Sequence, residues 1–228
     1  MKVVYSCITG GYDSLEWILG SLLQPKRGYR FVLFVDDRSF REAQRMASRM
    51  CLPWEIRRFH WDSGPSPVRV ARYHKVNPQE VLFGLVDKSC WIDGSEQLRP
   101  DADLDELFSH GPLAAFRHPQ RDCIYEEARA CERLKKDLPA VMRAQVRQYE
   151  ISGYPRHNGL AETACVVREH TSEVRDFCRL WWACIQGGSH RDQLSFDYAA
   201  WRQGLAVQDI PGCRDRSPYL RFRPHSRR

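Results

Sequence analysis

Two short apolar runs, Lys2 to Ile8 and Tyr29 to Val35, are each closed by turn or acidic residues, the pattern of parallel strands covered on both faces. Helical periodicity takes over after the second. From Ser39 to Met50 the apolar positions Phe40, Ala43, Met46, Ala47 and Met50 share one face, with Ser39 as an N-cap. Trp54 to His60 predicts a third strand. Past the Pro/Gly/Ser stretch Ser63 to Pro67, a helix runs to about Val76, where Asn77-Pro78 stops it. Lys88 to Asp93 predicts a strand, Asp101 to Phe108 a short helix and Leu113 to Phe116 another strand. Helices over Cys123 to Lys136 and Ala140 to Gln148, a strand near Ala164 to Arg168, and helices at Ser172 to Ile185 and Gln193 to Gln203 complete the pattern.

Strand and helix alternating in this way predict an α/β fold with an open, mostly parallel sheet flanked by helices. The 228 residues suffice for one such core, so a single domain is expected over residues 1–213. Hydrophobic residues at 43% and charged residues at 28% are the balance of a water-soluble globule. No apolar run reaches bilayer length, and the longest, Phe31 to Val35, ends in Asp36-Asp37. The apolar N-terminus runs into Thr9-Gly10-Gly11-Tyr12-Asp13 and reads as a buried strand, not as a cleaved leader. Nine scattered cysteines without a CxxC pair read as reduced, mostly buried thiols of a cytoplasmic protein. Part of the net charge of +6 falls in residues 214–228, a basic tail. It either keeps the chain in solution or attracts polyanions: nucleic acid, an anionic membrane surface or the diphosphate of a ligand.

Ligands of open α/β sheets sit beyond the carboxyl ends of the strands. At the first strand's end, Thr9, Gly10 and Gly11 allow a close backbone approach to a ligand, or form a tight turn. Asp36 and Asp37 end the second strand, placed to accept hydrogen bonds from a ribose or nucleobase, or to cap the helix that follows. Asp93-Gly94-Ser95 is the sharpest signal, an aspartate delivered to the sheet edge with space above it. A carboxylate there holds Mg²⁺ or Mn²⁺ against a diphosphate; otherwise cationic side chains must neutralise it. Arg72 and Lys75, one helical turn apart, can share that task or form a solvated basic face. His118 and Arg121 lie on a loop running into a helix whose first turn bears Glu126 and Glu127, carboxylates that also suit a helix N-terminus. Asp192, in Arg191-Asp192-Gln193, either caps a helix or acts on a sugar hydroxyl.

In order along the chain, Tyr5 to Asp13, Phe34 to Asp37, Ala71 to Lys75 with Pro78, Trp91 to Ser95, His118 to Glu127, Gly159 to Glu162 with Arg168 and His170, and Arg191 to Phe196 resemble the plant mucilage and turgor-regulation glycosyltransferase-like family, which has bacterial members. The resemblance runs to about Arg202. It implies a GT-A-like nucleotide-sugar fold and glycosyl transfer. Two departures stand out: the acidic motif of that fold is usually Asp-x-Asp where this chain has Asp93-Gly94-Ser95, and Gln79 follows Pro78 where the family tends to have histidine. Asp192-Gln193 is similar to the Asp-Gln pair that some sugar-nucleotide transferases place near the acceptor and anomeric carbon.

The expected reaction moves a sugar from a nucleotide-diphosphate donor to a hydroxyl of a glycan or other acceptor, a modified nucleic-acid base included. Thr9, Gly10, Gly11, Asp36 and Asp37 would hold the nucleoside; Arg72, Lys75 and Asp93, the last through Mn²⁺ or Mg²⁺ and flanked by Gly94 and Ser95, would hold the diphosphate. His118, Arg121, Glu126, Glu127, Arg191 and Gln193 would face the acceptor, with Asp192 first and Glu162 second for activating its hydroxyl. The alternative is a basic nucleic-acid-binding protein that keeps the fold without catalysis.

Overall fold

Successive strand residues feed two apolar layers, one on each side of a central sheet. In a computed structural model, which describes residues 1–20, 25–60, 66–84 and 86–224, Val4, Ile8 and Ile92 face one layer while Val3, Tyr5, Cys7 and Trp91 face the other. This period-two alternation inside unbroken apolar runs is what a sheet buried on both faces requires.

The chain runs β1 (Lys2–Ile8), α1 (Leu15–Leu19), β2 (Tyr29–Val35), α2 (Asp37–Arg49), β3 (Trp54–Arg58), α3 (Pro67–Val76), α4 (Pro78–Val81), β4 (Lys88–Ile92) and β5 (Glu96–Leu98). There follow α5 (Leu104–Leu107), β6 (Leu113–Arg117), α6 (Ile124–Arg133), α7 (Pro139–Ile151), β7 (Ala161–Glu169), α8 (Ser172–Gly187), α9 (Gln193–Arg202), β8 (Gln208–Ile210) and β9 (Leu220–Phe222). Seven strands form the central sheet in the order β3-β2-β1-β4-β7-β6-β8. β7 runs against both of its neighbours, β4 and β6, and the other pairings are parallel. α1, α2 and α5 cover one face and α3, α4, α8 and α9 the other. The result is the α/β, mostly parallel, single-domain GT-A-like architecture.

Several boundaries differ from expectation for identifiable reasons. Asp36, not Ser39, caps α2, because its carboxylate reaches the Ser39 N–H at 3.0 Å. The seventh strand begins at Ala161, three residues earlier than the apolar run, because Ala161 pairs with Arg117 and Glu162 with Phe116 in β6. Asn77-Pro78 does end α3, yet Pro78 immediately starts the one-turn α4, a position that needs no N–H donor.

Residues 214–228, set apart from the sequence as a basic tail, are in their described part folded onto the body. Tyr219 and Leu220 are buried in the main core, and β9 pairs antiparallel with β5. His225 to Arg228 and, of the Pro/Gly/Ser stretch, Ser63 to Pro65 lie outside the described residues. All nine cysteines are free thiols, Cys90 and Cys165 facing each other across β4 and β7 at 3.6 Å. Among the described residues no helix is long and apolar enough to cross a membrane.

Candidate donor site

α3 carries the central cations, and its position is fixed at both ends. Ser66 caps it and Pro67 occupies its first turn. At the other end the fully buried Arg168 of β7 donates from Nη2 to the Lys75 carbonyl at 2.8 Å and from Nη1 to the Val76 carbonyl at 3.4 Å. The Tyr5 hydroxyl donates to the same Lys75 carbonyl at 2.8 Å and accepts from Arg168 Nη2 at 2.7 Å. A guanidinium on the last carbonyls of a helix satisfies orphan acceptors and opposes the negative end of its dipole. Arg69 ties the same helix to the end of α8 through the Ile185 and Gly188 carbonyls.

α9 brings the opposing carboxylate. Asp137 accepts from the Ser189 hydroxyl at 2.6 Å and the His190 N–H at 3.0 Å, and Gln145 Oε1 accepts from the Ser189 N–H at 2.9 Å. A Cβ at Gly188 would run into Gln145. The loop is thus pinned against α7, and Asp192 emerges from it with helical dihedrals and no side-chain cap bond. Its carboxylate is free for tertiary pairing.

There the side chains converge. Arg72 Nε lies 2.9 Å from Asp192 Oδ1, Lys75 Nζ 2.6 Å from Asp192 Oδ2 and 3.1 Å from Asp93 Oδ1, and Arg72 Nη1 3.9 Å from Asp93 Oδ1. The Thr163 hydroxyl adds a bond to Asp192 Oδ2 at 2.8 Å and Trp91 Nε1 one to Asp93 Oδ1 at 2.7 Å. The four are not equivalent. Lys75 and Asp192 side chains are 1% and 3% exposed, whereas Arg72 and Asp93 are 17% and 25% exposed. Arg72 and Asp93 line a cavity of about 280 Å³ with Thr9, Gly10, Asp13 and Ser95; Lys75 and Asp192 stand behind them. Burial would push the Asp192 carboxyl up, but Arg72 and Lys75 beside it win and hold it well below the usual carboxylate range. The same contest, with Lys75 ahead of Arg72, lowers Asp93.

The glycine turn meets this cavity. Gly10 and Gly11 both have positive φ, 63° and 64°, conformations that other residues adopt at a cost. Asp36 is spent inside the protein, its Oδ2 accepting from the Gly10 N–H at 2.6 Å while Oδ1 caps α2. Asp37 turns outward to Arg58 and His60, away from the cluster. Thr9 donates its hydroxyl to the Pro67 carbonyl at 3.0 Å, and a Cβ on Gly94 would collide with the Asp13 carboxylate.

The acceptor-side residues divide. Arg121 is joined to Glu127 at 2.6 Å and to His118 Nε2 at 3.0 Å, and Glu127 Oε1 accepts from Cys131. Arg191 lies within electrostatic reach of Asp192, Cys131 and Glu127, so it links this group to the central cluster. Glu126 points elsewhere, to Arg129 and His157. Gln193 donates to the Ala161 carbonyl at 2.9 Å and fastens α9 to β7. Glu162 accepts from the Arg214 N–H at 2.9 Å, and burial raises its carboxyl pKa.

A divalent cation at Asp93 finds a poor ligand set. Asp93 Oδ1 is shared with Lys75 and Trp91, and the Ser95 hydroxyl accepts from Arg214 Nη2 at 2.7 Å. Among the described residues no group of three or more His, Cys, Asp or Glu is arranged to hold a metal ion. No step below is routed through one.

Sequence reasoning gave no site role to Thr163, Arg168, Glu96 or Arg214, although Arg168 is among the residues that carry the resemblance. Thr163 lies in an apolar run, Glu96 in a polar stretch just after Asp93-Gly94-Ser95, Arg168 at the end of a strand, and Arg214 in what reads as a tail; none has a local pattern that announces its partner. A search of curated proteins finds no match. The profile of the TOD1/MUCI70 glycosyltransferase-like domain, however, matches residues 1–210, which include all seven strands of the central sheet and all four members of the central cluster. With that match over the fold and the site alike, the chain belongs to the TOD1/MUCI70 glycosyltransferase-like domain family.

Proposed function

We propose that this protein transfers a sugar from a nucleotide-diphosphate donor to an acceptor hydroxyl. The observation that carries the reading is the convergence of Arg72, Lys75, Asp93 and Asp192 at the carboxyl end of β4, beside a cavity bordered by the Gly10-Gly11 turn. Breaking the bond to the anomeric carbon leaves negative charge on the diphosphate, and a fixed cation at that point lowers the barrier. Arg72, half turned to the cavity, is placed to meet those phosphates, and Asp93 to accept from sugar hydroxyls. Behind them, Asp192 and Lys75 hold both side chains in one geometry, so that little reorganisation is needed when charge develops.

This arrangement reassigns the carboxylate first expected to activate the acceptor. A group held well below its ordinary pKa is a weak proton acceptor, so Asp192 serves as a positioning residue. Glu162, raised by burial, is the better matched of the two candidates to proton transfer near neutral pH. The acceptor is a hydroxylated molecule, with the Arg121–Glu127–His118 group on its side of the site.

The test is release of nucleoside diphosphate from a panel of nucleotide sugars, measured with and without Mn²⁺. Slow release from at least one donor, abolished in Asp93→Ala with the fold retained, is the expected result. No release and no donor binding across the panel would overturn the reading.

A further inference from the structure

The chain turns sharply at Gly212, whose φ of +91° and crowding against the Arg216 carbonyl exclude a side chain. A bridge between Cys213 and Arg216 closes the turn. Arg214, inside it, is delivered onto the site. Its Nε donates to Glu96 Oε1 at 2.8 Å and its Nη2 to Ser95 Oγ at 2.7 Å. The Phe222 ring centroid lies 3.7 Å from the guanidinium carbon, and the Arg214 N–H holds Glu162. β9 and the bond from the Arg223 N–H to the Ser95 carbonyl at 3.0 Å fasten the rest of this segment.

Arg214 also lines a wide cleft, about 1220 Å³, whose wall includes Gly10, Gly11, Tyr12, Asp13 and Arg38. Gly10, Tyr12 and Asp13 border the Asp93 cavity as well, so the two spaces adjoin. Glu96 does not simply cancel the guanidinium. It is buried, and its Oε2 has no hydrogen-bond partner among the described residues. Burial pushes its carboxyl up to about 8 against the pull of Arg214. A cation braced by a hydroxyl, a ring face and a weakly ionised acid keeps much of its charge for an anion in the cleft.

We propose that Arg214 is a donor-site residue whose guanidinium binds the diphosphate of the nucleotide sugar. The proposal rests on the transferase reading above and adds a contact from beyond residue 210, where the family match ends. A planar guanidinium can give two parallel N–H bonds to phosphate oxygens, which a lysine cannot. Ser95 and Glu96 then act as its cradle.

Calorimetric titration of the full chain with uridine, guanosine, adenosine and cytidine diphosphates, and with the matching nucleosides, tests this. Arg214→Gln should weaken the diphosphate that the wild type binds by about tenfold or more and change the nucleoside's affinity by less than about twofold. Arg214→Lys should fall between the two. Glu96→Gln, which keeps the guanidinium but removes the carboxylate that competes for it, should bind the diphosphate more tightly than the wild type. Equal losses in Glu96→Gln and Arg214→Gln would mean that the pair is only a brace, and would overturn the proposal, as would undiminished affinity in Arg214→Gln. A wild-type chain that binds no diphosphate in the panel sinks the transferase reading and this proposal with it.

Discussion

At the residue scale, the central cluster is held by charges that have been taken out of water together. Removing one partner of such a set leaves its opposite uncompensated, a loss of about 3–5 kcal/mol. Asp192→Asn leaves Lys75, almost wholly buried, with Asp93 as its remaining counter-ion among the described residues. It should therefore lower the thermal midpoint substantially and impair turnover through Arg72. Asp93→Asn, at a more exposed carboxylate, should abolish donor turnover with a smaller loss of stability; the two variants compared by melting and by diphosphate release separate positioning from contact. The buried Glu96 makes a pH prediction of definite sign. Its pKa is raised on folding from 4.5 to about 8, so the folded chain holds a proton that the unfolded chain gives up. The associated stability is complete below pH 4.5 and is lost as pH rises toward 8. Melts at pH 5 and pH 8 should show a larger fall in the wild type than in Glu96→Gln, and identical falls would contradict the assignment.

At the scale of elements, the decisive one is α3, because a helix displaced by a fraction of a turn would aim Arg72 and Lys75 elsewhere. Its last carbonyls are gripped by Arg168 and Tyr5. Tyr5→Phe removes a hydroxyl that both donates to Lys75 and accepts from Arg168, a loss of about 1–3 kcal/mol. The expected result is a lowered melting midpoint together with weaker donor binding, although Tyr5 lines no part of the cavity; unchanged donor affinity would count against the grip. The turn after β4 is equally constrained. Gly94→Ala drives a methyl group into the Asp13 carboxylate, so donor binding should fall while far-ultraviolet circular dichroism is retained.

At the scale of the whole molecule, the segment after β8 completes the domain. Tyr219 and Leu220 join the larger apolar layer, and β9 gives β5 its only sheet neighbour among the described strands. Ending the chain at residue 212 would expose that layer and leave Glu96 without Arg214. Burying two such side chains contributes about 3–6 kcal/mol, a large part of the stability of a domain this size. Truncation should accordingly yield a protein with a strongly lowered melting midpoint or none, and a truncated chain that melts like the full one would refute the claim.

Much of this protein is determined locally. Short β-rich apolar runs closed by turn or acidic residues, such as Phe31 to Val35, read as strands covered on both faces, and the residues just past such runs, Gly10, Gly11 and Asp93, are thereby placed at the sheet edge. That Arg72, Lys75 and Asp93 form a candidate group follows from a strand end and helical spacing, whereas Asp192, read at a helix start on the acceptor side, is joined to them by the tertiary structure. What each of them does was decided only by the tertiary structure, since a charge's role depends on its partners and its access to water, and neither is a property of a neighbouring residue. Asp192 faces two cations across the sheet edge and is thereby a weak base; Asp36 and Gln193 are used up on backbone groups. The folding back of Arg214 from a basic stretch onto Ser95 and Glu96 is the extreme case, a contact across 118 residues between the guanidinium and Glu96 that no local pattern encodes.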